Sequence, residues 1–247
     1  MQENKAIFIA DKYVKYRPTY PLPLFDYIYQ YVNRFDRVWD CGCGNGQATS
    51  QLAEKFKQVI ATDIAAKQIE YAVEKPNINY KVCPAEQTSI ADNSIDLITV
   101  AQALHWFDHT AFALEVKRVL KHKGILAAWG YSPPRINKKI DTIIDYTGFD
   151  LLNDYWGSGR KYVDNCYRNI PFPFKKIENH EFYCESQYSL QGLIGYLESW
   201  SPRLNYLRKH DKDPLDFVKA ELTAAWGNAK EIKTIKWPIF LLLGLND

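Results

Sequence analysis

Three glycines at two-residue spacing, Gly42, Gly44 and Gly46, form the stretch of this sequence best suited to binding chemistry. An acid, Asp40, precedes them, and a second acid, Asp63, stands about 20 residues further on. Glycine adopts positive φ without strain and lets a ligand approach bare backbone. A helix after such a turn presents its free amides to the ligand, and an acid on the neighbouring strand can accept hydrogen bonds from a ribose diol. The pattern predicts a nucleotide-type site.

The spacing of these glycines does not fit the dinucleotide fingerprint Gly-x-Gly-x-x-Gly. Read from Gly42, the third glycine would fall on Gln47, and read from Gly44 it would fall on Thr49. The spacing fits acid-x-Gly-x-Gly-x-Gly, beginning at Asp40, which resembles motif I of the class I S-adenosylmethionine-dependent methyltransferases. The extra acid suits that family, because its ligand is cationic and has no pyrophosphate to neutralise. A glycine-rich turn without a ligand is the alternative.

Predicted strands and a helix surround this turn and would hold it in place. Residues 37–41 and 58–62 are short runs typical of strands, and residues 47–57 show the apolar spacing of a helix. Two more strands are predicted at residues 79–83 and 95–100, the second an almost continuous apolar run typical of the middle of a parallel sheet. Ligands of open α/β sheets bind at the carboxyl edge of the strands, where the glycine turn falls.

Other segments resemble the same family. A predicted helix at residues 109–121 runs through Leu-Lys-His-Lys-Gly-Ile-Leu into a strand at residues 125–130, which resembles the segment before the fifth strand of class I methyltransferases. Residues 16–21, Tyr-Arg-Pro-Thr-Tyr-Pro, and residues 101–108, Ala-Gln-Ala-Leu-His-Trp-Phe-Asp, resemble a small-molecule subset that includes trans-aconitate methyltransferase-type enzymes. The resemblance covers nearly the whole chain and is loose beyond residue 130.

The fold implied by this resemblance is α/β, a Rossmann-like seven-stranded methyltransferase sheet with helices on both faces and a helical cap insertion. The insertion is expected because a long segment separates the last two predicted strands, residues 174–184 and 232–245, which a hairpin would otherwise join. The predicted division is an N-terminal helical arm at 1–36, a cofactor-binding core at 37–130, a helical cap with the sixth strand at 131–231 and the final strand at 232–247.

The resemblance implies S-adenosyl-L-methionine as cofactor, which becomes S-adenosyl-L-homocysteine. Ile64 stands where an adenine ring would pack, and Ala85 and Glu86 follow the third strand, where the family contacts adenine. A solvated loop acid is the alternative for Glu86. The predicted cofactor-binding residues are Asp40, Gly42, Gly44, Gly46, Asp63, Ile64, Ala85, Glu86 and Gln102.

The substrate side is predicted from the arm and from the segment after the fourth strand. Tyr16, Arg17 and Tyr20 could close the site, with Arg17 holding a carboxylate bidentately; alternatively, Arg17 pairs with a surface acid. His105 is the candidate general base, although it could instead orient the substrate or hydrogen-bond within the cap. Trp106 is predicted to form a wall of the substrate site, with π contact to the sulfonium as the alternative.

The predicted reaction is methyl transfer by in-line displacement onto a small-molecule acceptor, with a carboxylate favoured. Alignment of donor and acceptor can supply roughly 7–11 kcal/mol, so such an enzyme needs neither a nucleophile–base triad nor a metal, and we predict no metal site. One alternative is a non-catalytic S-adenosylmethionine-binding module. Another is a nucleic-acid methyltransferase, but residues 101–107 contain no Asn-Pro-Pro-Tyr-like motif. The glycine register disfavours a third, an NAD-dependent oxidoreductase.

Composition limits the partners and the compartment. The 247 residues carry a net charge of +2, which demands neither nucleic acid nor membrane as a partner. The five cysteines are an odd number, and two lie in the glycine turn, which indicates reduced thiols in a cytoplasm. The sequence contains no recognisable signal peptide and no apolar run long enough to span a bilayer. We therefore expect a cytoplasmic monomer or homodimer.

Overall fold

The computed structural model describes residues 16–177 and 180–247, so the first 15 residues of the predicted N-terminal helical arm lie outside the described residues. The chain divides into two compact units. The unit called here the sheet unit contains residues 20–132, 161–182 and 239–247. The other, called the cap unit, contains residues 16–19, 133–160 and 183–238.

Strands and helices alternate through the first part of the sheet unit, as the sequence periodicity predicts. Strand β4 is an apolar run buried at nearly every position, and helix α4 begins where the Asp108 side chain accepts hydrogen bonds from the amides of Thr110 and Ala111. The elements are α1 (Leu22–Tyr29), β1 (Arg37–Cys41), α2 (Gln47–Leu52), β2 (Gln58–Asp63), α3 (Ala66–Glu70), β3 (Ile78–Val82), β4 (Ile95–Ala101), α4 (His109–Val119) and β5 (Leu120–Tyr131).

Among its described residues, the second part of the chain adds five further α-helices and the last strands. Strand β8 is continuous, with its residues up to 238 in the cap unit and the remainder in the sheet unit. The elements are α5 (Lys138–Asp145), α6 (Arg160–Asp164), β6 (Lys175–Ile177), β7 (Phe182–Tyr188), α7 (Leu190–Glu198), α8 (Ser201–Leu207), α9 (Lys219–Trp226) and β8 (Lys233–Leu245).

The strand order in the sheet is β3-β2-β1-β4-β5-β8-β6, with β7 also pairing β8. Strands β1 to β5 are parallel, and β8 is antiparallel to both β5 and β6. The carboxyl ends of β1, β2 and β4 therefore meet at one edge, with the glycine turn after β1. This arrangement confirms the predicted α/β fold.

The strand predicted at residues 174–184 is wrong as a single element. The structure has two strands there, β6 and β7, and each pairs with β8. Strand β6 pairs with the end of β8 around Gly244, whereas Glu185 on β7 forms an ion pair with Lys236 near the start of β8. The sequence did not indicate a break between them, because the side chains of both strands alternate between two faces with the same two-residue period.

Residues 161–182 pack with the sheet although most of their sequence neighbours belong to the cap unit. Val163, Tyr167 and Ile170 are buried in the same apolar cluster as Val116 and Leu126. Burial of these side chains explains why this segment joins the sheet unit.

Within the described residues, no helix has the length and apolar character needed to cross a bilayer.

Candidate functional site

The turn after β1, called here the glycine turn (residues 42–46), has the backbone conformation that its sequence predicts. Gly42, Gly44 and Gly46 have φ values of 70°, 54° and 86°, a region that side chains with a Cβ rarely adopt. The amides of Gly42 and Cys43 donate to the Thr62 carbonyl at 2.8 and 2.9 Å. The turn is thereby fastened to the end of β2, where Asp63 stands.

The surroundings of the three glycines differ. A Cβ on Gly42 would lie 2.5 Å from the Cβ of Ala103, and one on Gly46 would meet the Tyr80 hydroxyl. A Cβ on Gly44 would have only the Gln68 Oε1 nearby, at 4.0 Å. Two glycines therefore allow close internal packing, while the backbone at Gly44 faces open space that a ligand can enter.

Asp63 is held against this turn. Its Oδ2 accepts from the Gly44 amide at 2.8 Å, and its Oδ1 accepts from the Ala65 amide at 2.8 Å. Each carboxylate oxygen has two lone pairs, so each retains a second acceptor position for another donor. An open backbone bend beside an acid with spare acceptor capacity fits a ligand that carries a ribose diol.

Asp40 lies beneath the turn. It is fully buried, and its two oxygens accept from the hydroxyls of Thr49 at 2.5 Å and Thr99 at 2.8 Å. Burial raises the pKa of Asp40 to about 6, although the bonds from Thr49 and Thr99 oppose that rise. This geometry favours a positioning role, in which Asp40 joins β1 to α2 and β4, and its predicted contact with the cofactor stays a prediction.

The raised pKa of Asp40 predicts a pH-dependent stability. The carboxyl group is protonated up to about pH 6 in the folded protein but only up to 3.8 at its ordinary pKa. Its contribution to stability is therefore complete below pH 3.8 and is lost as pH rises through about 6. Asp40→Asn cannot ionise, so its free energy of unfolding relative to wild type should increase between about pH 4 and pH 7, measured by urea unfolding.

A surface acid provides a control with the opposite sign. The hydrogen bond and charge of Lys57 lower the pKa of Asp36, so Asp36 contributes stability that is lost as pH falls. Asp36→Asn should therefore lose stability relative to wild type as pH rises. A pH-independent difference between Asp40→Asn and wild type would show that Asp40 ionises normally.

One cysteine ends β1 and another lies in the glycine turn. Cys41 and Cys43 are buried and free of disulfides. Burial raises the pKa of both thiols well above their usual range, and the nearby Asp40 carboxylate adds to the rise. Both thiols therefore stay protonated at neutral pH.

The predicted adenine-side residues lie near the ends of β2 and β3. Ile64 is 76% exposed, which is unusual for an isoleucine and suits contact with a flat heterocycle. Ala85 is buried. Glu86 is half-buried, and its Oε1 accepts from the Asp108 amide at 2.9 Å, so it is not simply a solvated loop acid. Cofactor contact by all three residues stays a prediction.

The segment after β4, called here the β4 loop (residues 102–108), begins in a strained conformation. Gln102 has a φ of 55°, its amide donates to the Trp129 carbonyl at 2.7 Å, and its Oε1 accepts from the Tyr131 amide at 2.9 Å. These bonds fix the loop to β5 where Ala103 packs against Gly42. The side-chain oxygen of Gln102 is thus already bonded, and its predicted cofactor contact stays a prediction.

His105 and Trp106 lie in a 3₁₀ turn of the β4 loop. The His105 Nδ1 is 3.0 Å from the Tyr167 hydroxyl. Trp106 is 65% exposed, and its ring centroid lies 4.9 Å from that of His105. An exposed tryptophan beside a histidine after the fourth strand is consistent with the predicted wall of a substrate site.

The arm residues Tyr16 and Arg17 belong to the cap unit. The Arg17 Nη2 donates to the Ser199 carbonyl at 3.2 Å, and the guanidinium carbon lies 5.2 Å from the centroid of the Tyr196 ring. The Tyr16 carbonyl accepts from the Tyr188 hydroxyl at 3.0 Å. These contacts anchor the arm, and the predicted substrate-side roles of Tyr16 and Arg17 stay predictions.

Tyr20 belongs to the sheet unit and packs against Trp129, a residue that was not among the predicted site residues. Its ring packs edge-on against Trp129 at 5.5 Å between centroids. Trp129 is fully buried, and its Nε1 has no hydrogen-bond partner among the described residues. Since buried donors ordinarily have partners, Trp129 is a further candidate donor to a bound ligand. The substrate-side role of Tyr20 stays a prediction.

The sequence analysis also did not predict three residues that hold site residues in place, Thr49, Thr99 and Tyr167. Each acts by bonding a residue that was predicted, either Asp40 or His105. Thr49 was predicted to lie at the start of a helix, and Thr99 was predicted to lie in a buried strand, where a polar side chain needs a partner. Of the three residues, only Thr99 could have been recognised from the sequence, as a polar residue in a buried strand.

Comparisons with known proteins agree with this geometry. Residues 39–128 match a family model described as a methyltransferase domain. A Dictyostelium discoideum protein named as a methyltransferase is 33% identical over 253 residues, which span 99% of this chain and 96% of that protein. A solved structure from Anaeromyxobacter dehalogenans, described as a type II methyltransferase, has a TM-score of 0.86 and 35% identity, covering 93% of this chain and 97% of that chain.

A more distant structure supports the fold alone. A Bacillus subtilis protein has a TM-score of 0.54 and 19% identity, over 90% of this chain and 97% of that chain. The nearer relatives match the chain from end to end, well beyond the glycine turn. Together with the open glycine backbone, the bonded Asp63 and the strand order, these matches identify the cofactor as S-adenosyl-L-methionine and the protein as an enzyme. The chain belongs to the class I S-adenosylmethionine-dependent methyltransferases.

Proposed function

We propose that this methyltransferase acts on a small organic acid and places the methyl group on a carboxylate oxygen. The proposal rests on the β4 loop, where His105 is the single ionisable side chain before Asp108 and its Nδ1 is bonded to Tyr167. A carboxylate is already ionised at neutral pH, so it needs no base to become a nucleophile. Cytoplasmic location and a monomeric or homodimeric state stay predictions.

The residues of the sheet unit have distinct proposed roles. Asp63 accepts hydrogen bonds from the ribose of the cofactor, Ile64 covers the adenine ring, and Trp106 packs against the acceptor. S-adenosyl-L-methionine, when bound, supplies the methyl group as an electrophile. The net charge of +2 supports a small acceptor over nucleic acid, because a phosphate backbone demands a strongly basic surface.

Radiolabelled cofactor tests the acceptor class directly. The protein is incubated with methyl-tritiated S-adenosylmethionine and a panel of small carboxylic acids, with the matching carboxamides as controls. A methyl ester is hydrolysed by mild base and releases volatile tritiated methanol, whereas methyl ethers and methylamines do not. Base-labile label with the acids and none with the amides is expected. Base-stable label on phenols or amines, or label on RNA or DNA, would contradict the proposal.

Trp106→Ala should impair acceptor binding without destabilising the protein. Because the side chain is 65% exposed, its removal should change the free energy of unfolding by no more than about 0.5 kcal/mol. Loss of its contact with a bound acceptor should raise the acceptor KM about tenfold. Steady-state kinetics and thermal unfolding measure the two effects.

Leu114→Ala on α4 is the matched control for Trp106→Ala, because Leu114 is 67% exposed in the same unit. We expect its kinetics to equal those of wild type. An unchanged acceptor KM for Trp106→Ala would place the acceptor elsewhere.

A further inference from the structure

Tyr167 occupies a turn with a strained backbone. Cys166 and Tyr167 are consecutive non-glycine residues with φ values of 51° and 59°. Left-handed conformation is costly for a bulky residue and persists only where surrounding structure enforces it. The Cys166 amide donates to the Val163 carbonyl at 2.9 Å, and the Tyr167 amide donates to the Tyr162 carbonyl at 2.8 Å. The strain is thus built into the turn after α6.

The turn delivers the Tyr167 hydroxyl to His105. Tyr167 is fully buried, its ring packs edge-on against Phe240 at 4.9 Å, and its hydroxyl lies 3.0 Å from the His105 Nδ1. Among the described residues, the hydroxyl hydrogen-bonds only with His105. The direction of the bond between the Tyr167 hydroxyl and Nδ1 therefore shows whether Nδ1 carries a proton.

The phenol must be the donor in this bond. Burial raises the pKa of Tyr167 well above its usual range, so the hydroxyl stays protonated and has a hydrogen to donate. If Nδ1 also carried a proton, the phenolic hydrogen would be buried without an acceptor, which is costly. With the phenol donating, Nδ1 accepts, and the neutral ring holds its proton on Nε2.

We propose that Tyr167 is a positioning residue that fixes neutral His105 as the Nε2–H tautomer, so that His105 is a hydrogen-bond donor to the methyl acceptor rather than its base. This inference rests on the proposed function, because it assumes that the acceptor binds beside the β4 loop. It also specifies the ionisation state of the acceptor in that function. A neutral imidazole with its proton on Nε2 cannot take a proton there from a hydroxyl, so the acceptor must bring an oxygen that is already ionised, and His105 orients that oxygen.

The tautomer can be measured without any acceptor. Nitrogen-15 NMR of labelled histidine in the full chain distinguishes Nε2–H from Nδ1–H imidazole, and the His105 signals are assigned by their loss in His105→Gln. We expect Nε2–H in wild type and a tautomer mixture in Tyr167→Phe. Tyr162→Phe, which removes a hydroxyl from the same segment but contacts His109, should leave the His105 signals as in wild type. An Nδ1–H imidazole in wild type would overturn the proposal even if Tyr167→Phe fails to fold.

Activity separates a donor from a base once an acceptor is found by the radiolabel assay. The glutamine amide in His105→Gln can donate near the Nε2 position but cannot act as a base. A donor role predicts that His105→Gln keeps kcat/KM within about tenfold of wild type and exceeds His105→Ala, whereas loss of a general base costs both variants about 10²- to 10⁴-fold. Tyr167→Phe should lower kcat/KM about five- to tenfold and leave S-adenosylhomocysteine binding unchanged.

Failure of the donor role of His105 and failure of the proposed carboxylate acceptor give different results. Equal inactivity of His105→Gln and His105→Ala would overturn the donor role. If no carboxylic acid is methylated but wild-type His105 carries its proton on Nε2, the proposed acceptor fails while the effect of Tyr167 on the tautomer stands.

Discussion

Asp63→Ala will weaken the binding of S-adenosylhomocysteine by about 10- to 100-fold, as measured by titration calorimetry. A hydrogen bond to a charged group contributes roughly 1.5–3 kcal/mol, and each 1.4 kcal/mol is about tenfold in Kd. The variant also loses the acceptor of the Gly44 amide, 2.8 Å away, which loosens the backbone facing the ligand. Both losses act in the same direction.

Glu70→Ala controls for the loss of one negative charge. Glu70 is an exposed acid at the end of α3, in the same βα segment as Asp63 but outside the glycine turn. Its removal should leave the Kd within about twofold of wild type. A wild-type Kd in Asp63→Ala would mean that this carboxylate does not hold the ribose.

Gly42→Ala will destabilise the protein by about 2–5 kcal/mol. A left-handed conformation costs a residue with a Cβ about 1–2 kcal/mol, and an extra methyl group in a packed site costs about 1–3 kcal/mol. The new Cβ would lie 2.5 Å from the Cβ of Ala103. Since Ala103 lies in the β4 loop, its displacement should also reduce methyl transfer. Urea unfolding measures the loss of stability.

Gly44→Ala is the matched control in the same turn. Its φ of 54° carries a similar conformational cost, but the added Cβ meets nothing closer than 4.0 Å. It should therefore lose only about 1–2 kcal/mol of stability while impairing cofactor binding, because the new methyl group lies on the ligand side. Equal destabilisation by the two substitutions would show that contact with Ala103 does not constrain the turn.

The geometry of the glycine turn and of Asp63 was predictable because it is set by residues close together in the sequence. Gly42, Gly44 and Gly46 needed positive φ, and Asp63 needed only to end the next parallel strand, so spacing alone placed them together. The parallel order of the first strands followed from their alternation with helices. These features depend on residues within one strand–helix–strand unit, whose spacing can be read from the sequence.

Features that depend on distant pairings could not be predicted in this way. The hydrogen bonds that Asp40 accepts from Thr49 and Thr99 join residues 9 and 59 positions apart, so its burial beneath the turn was not predicted. Tyr167 is separated from His105 by 62 residues and belongs to a segment that sequence order assigned to the cap. Only tertiary packing shows that this segment joins the sheet unit.

The burial of Cys41 and Cys43, on either side of Gly42, has a consequence for their reactivity. A sulfonium donor alkylates sulfur anions readily, so a thiolate at Cys43 would risk self-methylation at each encounter with cofactor. The thiolate is the nucleophilic form of cysteine, and burial keeps Cys41 and Cys43 protonated. Burial thus holds both thiols in the protonated form, which a sulfonium donor alkylates only slowly.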